Sequence, residues 1–499
     1  MIKRFAAIEV GSFELEMGIY EISQKQGIKR IDHIRHTLAL GRDTYATGRI
    51  SYASVEEMCR VLKDFKRIME EYQTESFRAY GSTALREAKN NLQVLDQIKV
   101  KTGLDVHIIS NSEQRFIGYM AIGSKGERFE NYIKKGTAIA DIGYGSMQLT
   151  LYDDGAIVNT QNLPLGVLRL REMVAGIENI ARKRYQALED LIDNDLNIFK
   201  KIYLKDRKIK TLIGIGEPIL YLLGHLGRES QYSVIGCETF SQLFHRVKDK
   251  NPEEIENLLG ISHSYAQIIL PTLMIYQRVL EIFGAREIWL PGTLSIDGIA
   301  AEYALAKKLV KSGHDFHNDI VAASRNIAKK YRGITPHIKF VEETAMSLFD
   351  ALGKAAGLNT RDRLLTQISA ILYNCGSYIS MRNCAQATYH IVSTAEIMGI
   401  SHDERMLVAQ IAGGGIEEDV YGDIKRAKLS AIIQLADALD RSGKQKIQGF
   451  SFKPGHHALT ITACCSEDIP LELMAFEKHR EYFREIFGLE LRFKQRKIV

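Results

Sequence analysis

Two stretches of the chain, residues 5–20 and 138–152, are written to one plan. In the first, Phe5-Ala6-Ala7-Ile8-Glu9-Val10 is an apolar run with one acid near its end. Gly11-Ser12 interrupts it, and Leu15 to Tyr20 resumes with partial alternation. In the second, Ala138 to Ile142 carries Asp141, Gly143-Tyr144-Gly145-Ser146 interrupts, and Met147 to Tyr152 resumes. Short apolar runs broken by glycine and serine read as strand, tight turn, strand. A repeat of such a unit predicts two similar lobes. Glycine lets backbone N–H groups approach an anion closely, and serine adds a hydroxyl. If the lobes face each other, both turns point into one cleft, with Glu9 and Asp141 available to a hard cation such as Mg²⁺.

At 499 residues the chain is too long for one core, and a prior of ~150 residues per domain gives about three. Periodicity predicts a helix over Ser54 to Glu71, with Ser54 as N-cap and Glu57 three residues on. Short strands are expected at Ser76 to Gly81, Val106 to Ser110, Leu212 to Gly216 and Ile288 to Gly292, with helices opening at Thr83 and about Ser112. Beyond Lys311 the texture becomes helix-periodic to about Arg441, as in the stripe His337, Val341, Ala345, Leu348 and Leu352. Phe450 to Cys465 returns to alternation, Arg480 to Phe487 reads as helix and Leu489 to Phe493 as strand. The expected boundaries are residues 1–128 for lobe I, 129–308 for lobe II, and 315–499 for a helical domain with a short α+β tail.

The formal charge of +5 permits an anionic ligand but implies no nucleic acid, because acids and bases interleave almost everywhere. The lysine-rich stretch Lys200 to Lys210 reads as a solvated surface turn. No run reaches the ~18 to 20 apolar residues that cross a bilayer. Met1-Ile2-Lys3-Arg4 leads into a strand rather than a signal peptide, and the six scattered cysteines read as reduced thiols. No membrane partner and a cytoplasmic location are the expectations.

Ala7 to Ser12 resembles the first phosphate loop of the exopolyphosphatase / guanosine-pentaphosphate phosphatase family, D-[IL]-G-S-N-S. Tyr80 to Asn90 is similar to its T-x-A-L-R-x-A-x-N segment, and Ile108 to Arg115 to I-I-S-G-x-E-E-A-R, which carries the family's catalytic glutamate. Asp141 to Gln148 resembles D-I-G-G-G-S-T-E, Leu163 to Gly166 the S-L-P-[LM]-G segment, and Leu212 to Gly216 the third loop, G-x-G-G-T. These matches stand in family order across about 300 residues. His337 to Asp350 and Leu435 to Ser442 resemble segments of the longer members, whose C-terminal region is an HD-type metal-phosphohydrolase domain.

The resemblance implies two actin-like (ribonuclease H-like) α/β lobes, then a mainly helical HD-like domain with a small α+β tail. It implies an Mg²⁺-dependent phosphoanhydride hydrolase, with Mn²⁺ as an alternative, releasing orthophosphate from polyphosphate or guanosine pentaphosphate, and a homodimer. Glu9 and Asp141 would hold metal. Gly11, Ser12, Gly143, Gly145, Ser146, Gly214, Gly216 and Arg86 would bind phosphate, although Arg86 and Asn90 read equally well as tying a helix to the lobe. A gapless match puts Gln114 at the catalytic glutamate; a one-residue deletion restores Glu113 and aligns Phe116-Ile117 with the family's L-I, and Glu113 is favoured as the base.

Several positions depart from the family pattern. Glu9, Phe13 and Glu14 replace Asp, Asn and Ser in the first loop; Tyr144, Met147 and Gln148 replace Gly, Thr and Glu in the second; Glu217-Pro218 replaces Gly-Thr in the third. Tyr373-Asn374 stands where the HD pair belongs, so His337 and His390 read as structural and the C-terminal domain as a scaffold or channel wall. These changes motivate a second reading, a degenerate member that binds polyphosphate or a phosphorylated nucleotide as a sensor. A kinase of the same superfold would need an adenosine pocket that the sequence does not reveal.

Overall fold

The computed structural model describes residues 2–175, 181–225, 233–331, 333, 335–414 and 423–497. The chain forms two compact units, Met1–Phe316 and His317–Val499. In the first, β1 (Lys3–Val10), β2 (Glu14–Ser23), β3 (Gly27–Thr37), β4 (Ser76–Gly81) and β5 (His107–Ile108) make a sheet of order β3-β2-β1-β4-β5. A second sheet holds β6 (Thr137–Ile142), β7 (Met147–Asp153), β8 (Ala156–Leu163), β9 (Thr211–Ile215), β10 (Ser233–Gly236) and β11 (Glu287–Leu290), in the order β10-β11-β9-β6-β7-β8. Read from the other edge, it repeats the first: an antiparallel β-meander, then parallel strands, with β10 as an added antiparallel edge.

The duplication extends to register. Glu9 pairs with Glu16 across the first hairpin, and Asp141 with Gln148 across the second, each one residue before the strand's end. Both turns close in the same way: Gly11 N–H donates to Glu14 O at 2.9 Å and Gly143 N–H to Ser146 O at 3.0 Å. β1 and β6 are buried on both faces, which explains their nearly continuous apolar sequence. The half-buried β3 and β8 have no such run and are not apparent from periodicity.

Three local expectations need correction. The helix expected from Ser54 is Tyr52–Glu71, capped by Ser51, whose side chain accepts from the Ser54 N–H. The strand expected at Val106 to Ser110 shrinks to β5, because Ser110 caps the helix Asn111–Gly123. The helix Ser295–Ala306, assigned by sequence to lobe II, packs on lobe I. There Tyr303 stacks on Phe5 at 4.1 Å, Arg78 pairs with Glu302 at 2.5 Å, and Tyr20 donates to Asp297 at 2.8 Å. Among the described residues no single helix is long and apolar enough to cross a membrane, and the apolar helix His263–Phe283 lies in the core of lobe II.

The second unit is mainly helical and ends in a sheet of β12 (Ile447–Pro454), β13 (Ala458–Cys465) and β14 (Glu490–Lys497), ordered β12-β13-β14. Cys465 is buried and Cys464 partly exposed, as alternation requires, and all six cysteines are free thiols. In the helix Pro336–Leu352, Val341, Ala345, Leu348 and Leu352 are buried. His337 opens this helix between two carboxylates, with Asp437 Oδ1 at 3.0 Å from Nε2 and Asp440 Oδ2 at 2.9 Å from Nδ1. Both nitrogens are thus engaged as donors. The hydrogen bonds to Asp437 and Asp440 hold the imidazolium proton up to a pKa of about 9, from an ordinary 6.5.

A raised folded pKa stabilises the unit most fully below pH 6.5, and this contribution is lost as pH rises through about 9. We expect His337→Gln to lower the melting temperature near pH 6.5 by the equivalent of about 2 kcal/mol, with the deficit closing by about pH 10. A deficit that does not change with pH would show that the imidazolium bonds are not its source.

Candidate functional site

The strand ends β1, β4, β6 and β9 converge on one cleft enclosing about 50 Å³. It is lined by Glu9, Gly11 and Ser12 from the first turn, Ser82 and Thr83 after β4, and Asp141, Gly143, Tyr144 and Gly145 from the second turn. Gly216 and Glu217 follow β9, Thr293 to Ser295 lead into the returning helix, and Gln114, Arg115 and Gly118 come from the helix Asn111–Gly123. The space suits a few waters, at ~10–15 Å³ each, or one phosphoryl group rather than a chain.

Seven of the expected residues therefore meet: Glu9, Gly11, Ser12, Asp141, Gly143, Gly145 and Gly216. Gly216 has φ +133°, and a Cβ there would lie 2.0 Å from Ile142 O, so only glycine lets the third turn approach the second. Ser12 is buried, and its hydroxyl accepts from Tyr45 OH at 3.0 Å and Ala84 N–H at 3.1 Å.

Four expected residues are not among those lining the cleft. Ser146 is buried, and its carbonyl and hydroxyl oxygens accept from Arg115 at 3.0 and 2.8 Å. A side chain on Gly214 would meet Leu290, Ile288 and Tyr276, so that glycine serves packing. Arg86 donates to Ile109 O at 2.7 Å, to Thr83 Oγ1 at 3.0 Å and to Asn111, which ties its helix to the lobe. Glu113 is the N3 residue of a capping box: its Oε2 accepts from Ser110 N–H at 2.9 Å, while Ser110 Oγ accepts from Glu113 N–H at 3.2 Å. The gapless position Gln114 lines the cleft instead, because successive helical residues point about 100° apart.

Arg115 is the cleft's principal cation, and only its place within a longer motif marked it in the sequence. Its Nη1 lies 2.7 Å from Asp141 Oδ1, with both side chains less than a tenth exposed. Of the two expected metal ligands, Asp141 thus gives one oxygen to a guanidinium. Glu9 keeps one: Gln114 Nε2 donates to its Oε1 at 3.3 Å, and its buried Oε2 has no partner. Ser82 and Thr83 were also missed, although Gly81-Ser82-Thr83 at the end of a strand repeats the loop pattern.

Acids outnumber bases around this space. Burial raises the Glu9 carboxyl from 4.5 to about 7; Ser295 and Arg115 work in the opposite direction, while Glu16 and Asp141 add to the rise. Burial, then Glu16, Glu9, Glu14 and Asp141, drive Glu217 well above the carboxylate range. Glu14 is also raised by burial, against hydrogen bonds from Tyr265 and Thr37. Phe13 stacks on Tyr144 at 4.8 Å, so the two loop substitutions pack on each other where the family pattern has small or polar residues.

Models of the Ppx/GppA phosphatase family match residues 19–304, and models of its domain III match residues 322–453. The chain belongs to the Ppx/GppA phosphatase family. Among Ppx/GppA relatives, Exopolyphosphatase 1 of Mycobacterium bovis is 21% identical over 193 residues, covering 39% of this chain and 55% of that protein. The match therefore spans little more than half the length of that relative. A guanosine-5'-triphosphate,3'-diphosphate pyrophosphatase of Photobacterium profundum is 19% identical over 413 residues, 82% of this chain and 79% of that one. In fold, the chain resembles a Ppx/GppA family member from Aquifex aeolicus, with TM-score 0.51 and 21% identity, covering 62% of this chain and 99% of that one. An exopolyphosphatase from Cytophaga hutchinsonii gives TM-score 0.53 at 18% identity with the same coverage.

Because the Glu9 carboxyl is raised in the folded protein, its contribution to stability is fully present below about pH 4.5 and is lost as pH rises through about 7. Glu9→Gln should remove that loss, making the variant more stable than the parent at pH 8 by up to about 3 kcal/mol, with the two converging near pH 4. Thermal melts across this range check it, and parallel curves would contradict the assignment.

Proposed function

We propose that the chain is a phosphoanhydride hydrolase that takes the terminal phosphoryl group of inorganic polyphosphate, or of guanosine pentaphosphate, into the cleft. The observation that carries this reading is the meeting of three glycine turns around a buried carboxylate with a free oxygen. Glu9, rather than Glu113, would accept the proton of the attacking water, since a base works best with a pKa near the working pH. Gln114 would orient Glu9 through their hydrogen bond, and Arg115 would offset phosphoryl charge while held by Asp141 and Ser146. In-line attack needs chiefly such positioning.

The pair Glu9 and Asp141 does not fit a protein-held Mg²⁺, because Asp141 already serves Arg115, and no cluster of three or more metal-type side chains occurs among the described residues. Mg²⁺ or Mn²⁺ would arrive on the substrate's own phosphate oxygens. For the helical unit we keep the HD-like assignment in a non-catalytic role, with His337 used in an ion-pair clamp.

One observation favours a second reading, in which the chain binds polyphosphate or a phosphorylated nucleotide without turning it over. Gln114 lines the cleft, and in the gapless match to the family pattern it stands at the catalytic glutamate. Orthophosphate release from long-chain polyphosphate and from guanosine pentaphosphate, each with Mg²⁺, separates the two. The hydrolase predicts release that rises through about pH 7, falls at least ~100-fold in Glu9→Gln, and changes little in Glu113→Gln. Binding without release from either substrate would establish the second reading.

A further inference from the structure

The cleft lies at the carboxyl ends of the lobe II strands. At their opposite, amino ends a separate cavity of about 1060 Å³ opens, slightly larger than the ~300–1,000 Å³ typical of small-molecule sites. Its walls are the helix Glu127–Ile133 with the turn into β6, residues 207–211 leading into β9, and residues 283–287 leading into β11. Backbone bonds hold these three strand entries side by side: Lys210 N–H donates to Gly136 O at 2.9 Å, and Arg286 N–H to Lys210 O at 3.2 Å. Gly136 has φ +64°, and a Cβ there would come within 2.8 Å of Lys208 O, so its glycine permits the close approach.

Six cations line this cavity, Arg128, Lys135, Arg207, Lys208, Lys210 and Arg286, against two acids, Glu127 and Glu287. Glu287 already accepts from Thr211 at 3.1 Å. Among the described residues, Lys135, Arg207, Lys208, Lys210 and Arg286 have no ion-pair partner, and the two arginines differ in this from most arginines elsewhere in the unit. Arg128 is held over the Trp289 ring at 5.1 Å, and Trp289 stacks on Tyr132 at 4.9 Å. A solvated turn, the reading that the sequence gives Lys200 to Lys210, does not account for like charges gathered from three separate segments around one concavity. Gathered so, they repel each other and raise the local concentration of anions.

We propose that this cavity binds a polyphosphoryl anion, a run of condensed phosphates supplied by inorganic polyphosphate or by the tail of a nucleoside polyphosphate. Arginine forks and lysine ammonium groups together match closely spaced phosphoryl oxygens. Of the aromatic residues lining the cavity, Tyr132 stacks on the buried Trp289 behind it and Phe283 is buried against Phe199, which favours phosphate recognition over the base stacking that single-stranded nucleic acid uses. The site does not require the cleft to be catalytic, and the following experiment keeps the two apart.

Fluorescently labelled polyphosphate is titrated into the full-length parent, the double variant Lys208→Glu/Arg286→Glu and the cleft variant Glu9→Gln, with melting temperature as the folding control. The proposal predicts binding at least ~10-fold weaker and less salt-sensitive in the double variant, with orthophosphate release from tripolyphosphate unchanged. Glu9→Gln should keep this binding whether or not release is lost. Should the charge reversal fail to fold, Lys208→Gln/Arg286→Gln replaces it. Competition by unlabelled polyphosphate and by guanosine pentaphosphate identifies the source of the phosphates. Parent-like binding by the folded double variant would overturn the proposal, as would displacement by a single-stranded oligonucleotide but by neither phosphate compound.

Discussion

The buried contact between Arg115 and Asp141 is the interaction on which the cleft depends. It joins the helix Asn111–Gly123 to β6, and the same guanidinium holds both oxygens of Ser146 across the turn. A buried ion pair of this kind contributes little net stability, yet losing one partner strands a charge at a cost of roughly 3–5 kcal/mol. Its consequence lies in where the compensation goes. Arg115 pairs directly with Asp141, so Glu9, at the equivalent position of the duplicated hairpin, is left buried without a cation in contact, beside the Gln114 amide and Ser295.

That asymmetry gives two similar turns different chemistry. Each turn also offers one carbonyl to two N–H groups of a following segment, Phe13 O to Leu38 and Ala39 and, one position earlier in the repeat, Tyr144 O to Leu168 and Arg169. On this common frame one acid pairs with a guanidinium, and the other keeps its proton to near neutrality. The aromatic pair Phe13 and Tyr144 narrows the space between the turns, consistent with a site for a single phosphoryl group. Arg169 bonds Gly145 O of its own lobe at 2.8 Å and pairs across the lobes with Glu87 at 2.6 Å, adding a second tie beside the cleft.

Much of this was legible in the sequence. The duplicated strand, acid, glycine and strand unit marked both turns, because central strands need apolar runs and close turns need glycine, and family order marked the third turn. Side-chain direction was not legible. Glu113 and Gln114 are neighbours in a motif, and only the position of the helix start at Ser110 decides which one caps and which one faces the cleft. Arg86 and Gly214 carry the residue types of a phosphate site but are occupied by local partners. The return of Ser295–Ala306 to lobe I is a long-range packing choice with no local signal. The His337 clamp joins residues a hundred positions apart, and no helical stripe could have shown it.

The central claim is that burial outweighs the help of Ser295 and Arg115 and keeps Glu9 protonated below about pH 7. Isotope-edited infrared difference spectra of the parent against Glu9→Gln follow its carboxyl C=O band directly. The account predicts a band present at pH 6 that disappears with a midpoint near 7. A midpoint near the ordinary 4.5 would contradict it, and would mean that Glu9 enters the cleft already ionised and compensated.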